Sequence, residues 1–158
     1  MRISFDLDGV IANSEKWFFN ILTALRQFDN NDVLISTIER MYYSSRLVRY
    51  NPYLFMSSGD VGYIITARKP IAHSITEQWL QGNGINLEVV YVDSDDTIDW
   101  NNYEESSYES ARRKTEVLGS KGIICHIDNN PFIVMKMRRL IPSATIIQLG
   151  GEPCLSSM

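Results

Sequence analysis

The stretch ISFDLDGV, residues 3–10, opens as a short apolar run and closes on two acids and a glycine. Runs of this kind, bounded by turn residues, read as strands buried on both faces, as in parallel sheets. Asp6 and Asp8 lie two apart, so in extended chain they point to the same side. Two carboxylates so placed repel unless a cation or a shared proton lies between them. Magnesium suits such a position, because it takes few carboxylates and completes its shell with waters and phosphate oxygens. The plainer reading is a polar strand end with Gly9 making a turn.

Four further runs repeat the pattern of Ile3–Leu7: Val61–Ile65, Leu87–Val92, Ile123–Ile127 and Ala144–Leu149. Helical patterns fall between them. Trp17, Phe18, Ile21, Leu22 and Leu25 trace one apolar face after a cap at Asn13 or Ser14. Pro70 suits a first helical turn, Ile71, Ile75 and Trp79 follow on one side, and Gly82 is a stop. Tyr108, Ala111, Thr115 and Leu118 make a third face. Asn130 and Pro131 form a cap-and-start pair, with Val134, Met137 and Ile141 running to a stop at Pro142. Alternating strands and helices predict an α/β fold, a three-layer Rossmann-like parallel sheet. One interval is too long: roughly fifty residues separate the first two strands, more than a single crossover helix needs. The expected organisation is one domain over 1–158, with a small helical cap insertion at 13–59 after strand one. Asp93 to Ser107 reads as an acidic, aromatic loop, and the tail from Gly150 as frayed.

Composition narrows the class. The 158 residues are 44% hydrophobic and 22% charged, which a single globular domain would carry. The net charge of −4 argues against non-specific nucleic-acid binding, which needs a basic surface. Two cysteines, Cys125 and Cys154, do not make a disulfide framework. Charges near the amino terminus come too early for a secretory leader, and no run approaches the ~18 apolar residues of a membrane span. The expectation is a soluble, cytoplasmic protein with no membrane partner.

In such sheets ligands bind beyond the carboxyl ends of the strands. Asp6 and Asp8 end the first run; Thr66, with Ala67 and Arg68, ends the second; Asp128, with Asn129 and Asn130, ends the fourth. Lys114 lies on the helix before it. This convergence resembles the haloacid dehalogenase (HAD) superfamily: FDLDGV, ITAR, Lys114 and HIDNN look like its four motifs in order, over residues 1–12 and 61–149. The resemblance implies roles. Asp6 would attack phosphorus and form an aspartyl-phosphate. Asp8 would protonate the leaving oxygen and later take a proton from water, which requires its pKa to rise. Mg2+ would sit between Asp6, the Asp8 backbone carbonyl, Asp128 and the phosphate. Thr66 and the backbone N–H groups beside it, at Ala67 and Arg68, would hold the non-bridging oxygens, and Lys114 would balance charge.

The fit has one departure. The fourth motif usually carries a second acid, and here Asn129 stands in that place, offering a neutral carbonyl oxygen and one charge fewer. Lys121 is a rival to Lys114 but borders the Gly122 turn. Arg68 has two readings, a substrate contact or a surface arginine near a helix start. His73 reads as exposed and His126 as packed. Within the insertion, Arg46, Arg49, Tyr50 and Tyr53 either grip a substrate or pack the cap. The expected function is a magnesium-dependent phosphomonoester hydrolase for a small-molecule phosphate ester. Nucleoside monophosphates come first, because DLDGV and ITAR also look like the 5′-nucleotidase branch. The alternatives are a catalytically weakened phosphate-binding protein and a phospho-receiver domain with its acid at Asp93.

Overall fold

The computed structural model describes residues 1–13, 24, 32–92 and 103–150. Five strands form one sheet: β1 (Arg2–Phe5), β2 (Val61–Thr66), β3 (Glu88–Tyr91), β4 (Cys125–Asp128) and β5 (Thr145–Gln148). Their order is β3-β2-β1-β4-β5 and every pairing is parallel. The sequence expected all five strands. β1 ends two residues early because the chain turns at once. Ala12 N–H donates to the Leu7 carbonyl at 2.8 Å and Gly9 N–H to the Ala12 carbonyl at 2.7 Å. Gly9 holds φ +90°, a conformation in which a side chain is strained.

Four described α-helices complete the layers: α1 (Asp32–Ser44), α2 (His73–Gly82), α3 (Tyr103–Lys121) and α4 (Pro131–Leu140). Strand side chains alternate between two cores. Ile3, Phe5, Ile64, Cys125 and Ile127 pack with Trp79 and Leu80 of α2. Tyr63, Ile65 and Ile146 pack with Ala111 and Leu118 of α3 and with Val134 and Met137 of α4. The result is a three-layer α/β sandwich with a small helical insertion after strand one. Residues 11–13 and 47–49 run side by side, with Arg49 N–H donating to the Ile11 carbonyl at 2.7 Å and Asn13 N–H to the Leu47 carbonyl at 3.0 Å. The insertion therefore leaves and rejoins the scaffold at one place, beside the Gly9 turn.

Three details differ from the sequence expectations. Residues 103–107, expected in a loop, already belong to α3. The buried face of α2 is Thr76, Trp79 and Leu80, and in the turn before it Ala72 is buried while Ile71 is exposed; the Thr76 hydroxyl faces inward to a buried arginine. The buried face of α3 is Ser107, Ala111, Lys114 and Leu118, one step round from the expected one, and it carries the lysine into the interior. The helix expected around Trp17–Leu25, the loop over 93–102 and the tail over 151–158 lie outside the described residues. No described helix is long and apolar enough to cross a membrane.

Candidate active site

The second core contains a polar stripe. On β4, on β1 and one residue past it, the residues alternating with Phe5 and Ile127 are Ser4, Asp6, His126 and Asp128. Ser4 and His126 are register partners, and Ser4 Oγ lies 2.8 Å from His126 Nδ1. His126 Nε2 lies 3.3 Å from Asp128 Oδ2. Lys114 reaches down from α3 and closes the stripe: its Nζ donates to Asp6 Oδ1 and to Asp128 Oδ2, both at 2.7 Å. Asp128 is fully buried, Lys114 1% exposed and Asp6 9% exposed. A polar stripe this deep persists only because each charge has a partner.

One ammonium faces two carboxylates, and their protonation behaviour diverges. Burial pushes Asp6 up to about 7, against the pull of Lys114 and with a further push from Asp128. Burial also opposes the charge on Asp128, but Lys114 and the His126 contact outweigh it and hold that carboxyl below its usual range. Lys114 is held above its usual value, because Asp128 and Asp6 overcome the burial that disfavours it. Burial lowers His126 despite the nearby Asp128.

Thr66 ends β2, two residues beyond the Phe5–Ile64 pair, and is buried; its Oγ1 accepts from the Arg68 N–H at 3.3 Å. Ala67 is half-buried against the second core. Asn129 packs on the Gly9 turn: a Cβ on Gly9 would fall 2.2 Å from Asn129 Nδ2. Asn130 caps α4, its Oδ1 accepting from the Phe132 and Ile133 N–H groups, with Pro131 in the first turn.

Two arrangements were not expected. Arg68 is neither on the surface nor pointed at open space. It is 4% exposed, and its Nε and Nη2 donate to Asp8 Oδ2 and Oδ1 at 2.8 and 2.6 Å. Asp8 thus takes a bidentate guanidinium pair through both carboxylate oxygens. His73, expected on an exposed face, stacks on Tyr91 at 3.5 Å between ring centroids. The aromatic and basic residues of the insertion divide. Arg49 Nη1 donates to the Gly9 carbonyl at 3.0 Å, beside the site. Tyr53 accepts the Asn86 N–H through its hydroxyl, and Asn86 precedes β3, at the opposite edge of the sheet. Arg46 lies over the Tyr42 ring. Thr76 and Tyr43, which contact Arg68, carried no motif that could have singled them out. Lys121 pairs with Glu88 at the surface. Asp93 lies outside the described residues.

Among the described residues, no three His, Cys, Asp or Glu side chains are grouped as a ready metal site. The ligands that the resemblance implies, Asp6, Asp128, the Asp8 carbonyl and Asn129, would nevertheless each offer an oxygen. Lys114 takes one oxygen of each acid, and a carboxylate oxygen keeps further lone pairs. This chemistry fits a hard cation that brings its own waters, with one carboxylate fewer than the resemblance implies.

No protein-family model matches the chain, and no curated protein matches it. Solved structures do. The chain is similar to one in the structure of the Pnkp1/Rnl/Hen1 RNA repair complex, with TM-score 0.62 and 15% identity over 97% of this chain and 43% of that one. A second structure of the Pnkp1/Rnl/Hen1 complex gives TM-score 0.60 and 16% identity over 96% and 46%. An inactive mutant of the HAD domain of effector protein Lem4 from Legionella pneumophila gives TM-score 0.50 and 10% identity over 99% and 87%. The chain spans less than half the length of the RNA repair chains it matches. At these identities the likeness concerns the fold and points to no branch. With the parallel order β3-β2-β1-β4-β5 and a helical insertion after β1, the chain has the three-layer α/β fold of HAD domains.

Proposed function

We propose that the chain is a magnesium-dependent phosphomonoester hydrolase with Asp6 as nucleophile. The observation that carries this reading is the buried bridge from Lys114 to both Asp6 and Asp128 at the carboxyl edge of adjacent parallel strands. A carboxylate oxygen of Asp6 attacks phosphorus while the bond to the leaving oxygen breaks, and that oxygen receives a proton from Asp8. Water then attacks the aspartyl-phosphate, its proton passes to Asp8, and the bond from phosphorus to Asp6 breaks to release phosphate. Thr66 Oγ1 and the backbone N–H groups beside it receive the non-bridging oxygens. Asp6, Asp128, the Asp8 carbonyl and Asn129 would hold Mg2+, which supplies charge neutralisation for the phosphoryl group.

A phosphatase screen with added magnesium tests the reading, with an aryl phosphate, nucleoside monophosphates and sugar phosphates as substrates. One similar chain sits in an RNA repair complex, so a phosphorylated oligonucleotide joins the panel. Nucleoside monophosphates remain the first choice, with Arg49 beside the Gly9 turn as the residue to select them. Their preference should collapse in Arg49→Ala, whereas Tyr53→Ala should leave it unchanged. Better turnover of sugar phosphates than of nucleoside monophosphates, unchanged by both substitutions, returns the insertion to packing.

Asn129→Asp adds a carboxylate of nearly the same shape beside the Gly9 turn. It should lower the magnesium needed for half-maximal rate several-fold, and activity should vanish in chelator. A raised requirement would remove Asn129 from the metal. The second reading is a phosphate-binding protein without turnover, favoured by Asn129 and by the capture of Asp8 by Arg68. Phosphate binding without hydrolysis of any ester supports it.

A further inference from the structure

Arg68 is buried, and its contacts come from three separate elements. Asp8, just past β1, takes the bidentate pair through both carboxylate oxygens. Thr76 on α2 accepts from Nη1 at 2.9 Å, and because the Thr76 hydroxyl donates to the Ala72 carbonyl at 2.7 Å, its lone pair faces the arginine. The ring of Tyr43 on α1 lies against the guanidinium face at 4.0 Å. Two edges and one face of a rigid planar cation are thus engaged, which leaves it little rotational freedom. The charge is favoured as well: Asp8 outweighs the burial that works against it. A bidentate fork fixes the plane of the carboxylate it holds, so Asp8 inherits this orientation.

We propose that Arg68 is a positioning residue that orients the Asp8 carboxylate for the water-activating half of the reaction, and that Tyr43 ties this orientation to the seating of the insertion helix α1. The proposal rests on the hydrolase reading. The fork suits Asp8 after it has given its proton to the leaving oxygen, since both oxygens then accept from N–H groups. In the next half-reaction one oxygen takes a proton from water as the water oxygen bonds to phosphorus and the phosphorus–Asp6 bond breaks. An Asp8 free to rotate would meet that water less often. The first half, in which an activated leaving group needs little protonation, would be spared.

The experiment is rapid-mix kinetics with an activated aryl phosphate, comparing wild type, Arg68→Lys, Arg68→Gln and Tyr43→Ala. In the Arg68 variants the first-turnover release of the phenolate should keep its rate constant. The steady-state rate should fall about tenfold or more, a fraction of the roughly 10²–10⁴-fold that a positioned base contributes in full. Acid-quenched aspartyl-phosphate should accumulate to near the enzyme concentration. Tyr43→Ala should show a smaller fall of the same kind, and Tyr43→Phe should restore it. Equal slowing of both phases, or wild-type rates throughout, overturns the positioning role. If the wild type hydrolyses no ester, the hydrolase reading falls on its own and takes the kinetic role with it. Hydrogen exchange over residues 37–44 then decides the link to α1. Exchange should rise several-fold in Arg68→Gln and in Asp8→Ala, and unchanged exchange overturns it.

Discussion

Asp6→Asn should abolish turnover while the protein stays folded. The loss should be on the order of a thousandfold or more, because no covalent route remains once the attacking oxygen is gone. The stability effect has the opposite sign from most substitutions of buried charged groups. Lys114 carries one positive charge against two carboxylates, so the wild-type cluster holds one surplus negative charge in the interior. An amide at position 6 removes the surplus and still offers an oxygen to Nζ. The pH dependence follows. Asp6 has a folded pKa of about 7, above the ordinary value of 3.8, so the native state binds that proton more tightly than the unfolded chain. Its contribution to stability is full below the unfolded value and is lost as pH rises towards 7. Melting temperatures of wild type and Asp6→Asn, measured without magnesium, should be closest at low pH. They should separate in favour of Asp6→Asn as pH rises from about 4 to 7, the two values just given. Near wild-type turnover in the purified variant would end the nucleophile assignment. A gap that closed with rising pH would mean Asp6 is not the strained acid.

Lys114→Met should be the most destabilising single change at this site. Its ammonium donates to both acids, and removing one partner of a buried ionic cluster costs about 3–5 kcal/mol. For a chain of this size that corresponds to roughly 10 °C or more in melting temperature. The loss should shrink at pH 5, where a shared proton can replace the lysine, and grow at pH 8. Activity should fall with it. Magnesium should recover part of the stability, since a divalent cation can neutralise the same pair. Lys121→Ala supplies the contrast: its Nζ meets Glu88 at the surface, and loss of such a pair stays near ±0.5 kcal/mol. Equal effects of the two substitutions would contradict the assignment of Lys114.

The sheet was legible in the sequence because parallel strands read as nearly continuous apolar runs, and five such runs stand at Ile3, Val61, Leu87, Ile123 and Ala144, although only the inner strands are buried almost throughout and the edge strands β3 and β5 are partly exposed. Their ends were legible too, since Asp6, Thr66 and Asp128 interrupt those runs with polar groups. Lys114 was singled out by the resemblance and not by periodicity, since the helix face expected from Tyr108, Ala111, Thr115 and Leu118 left it out; the stripe of Ser107, Ala111, Lys114 and Leu118 is visible at helical spacing once the inward side is known. The insertion was recognisable by length, but its contacts were not. Arg46, Arg49, Tyr50 and Tyr53 are close in sequence, yet Arg49 meets the Gly9 turn while Tyr53 meets Asn86 at the far edge.

What the sequence by itself determined was therefore the class of fold, the order of its elements and the edge at which acids and a threonine gather. These depend on periodicity and turn chemistry, which are local. The tertiary structure alone decided which charges meet. Arg68 could have faced solvent or substrate, and Asp8 could have turned towards Asp6. The guanidinium instead lies between Asp8, Thr76 and Tyr43, residues drawn from three parts of the chain. A charge taken out of water must be paired wherever the fold leaves it, and that partner depends on packing between elements, which no local pattern encodes.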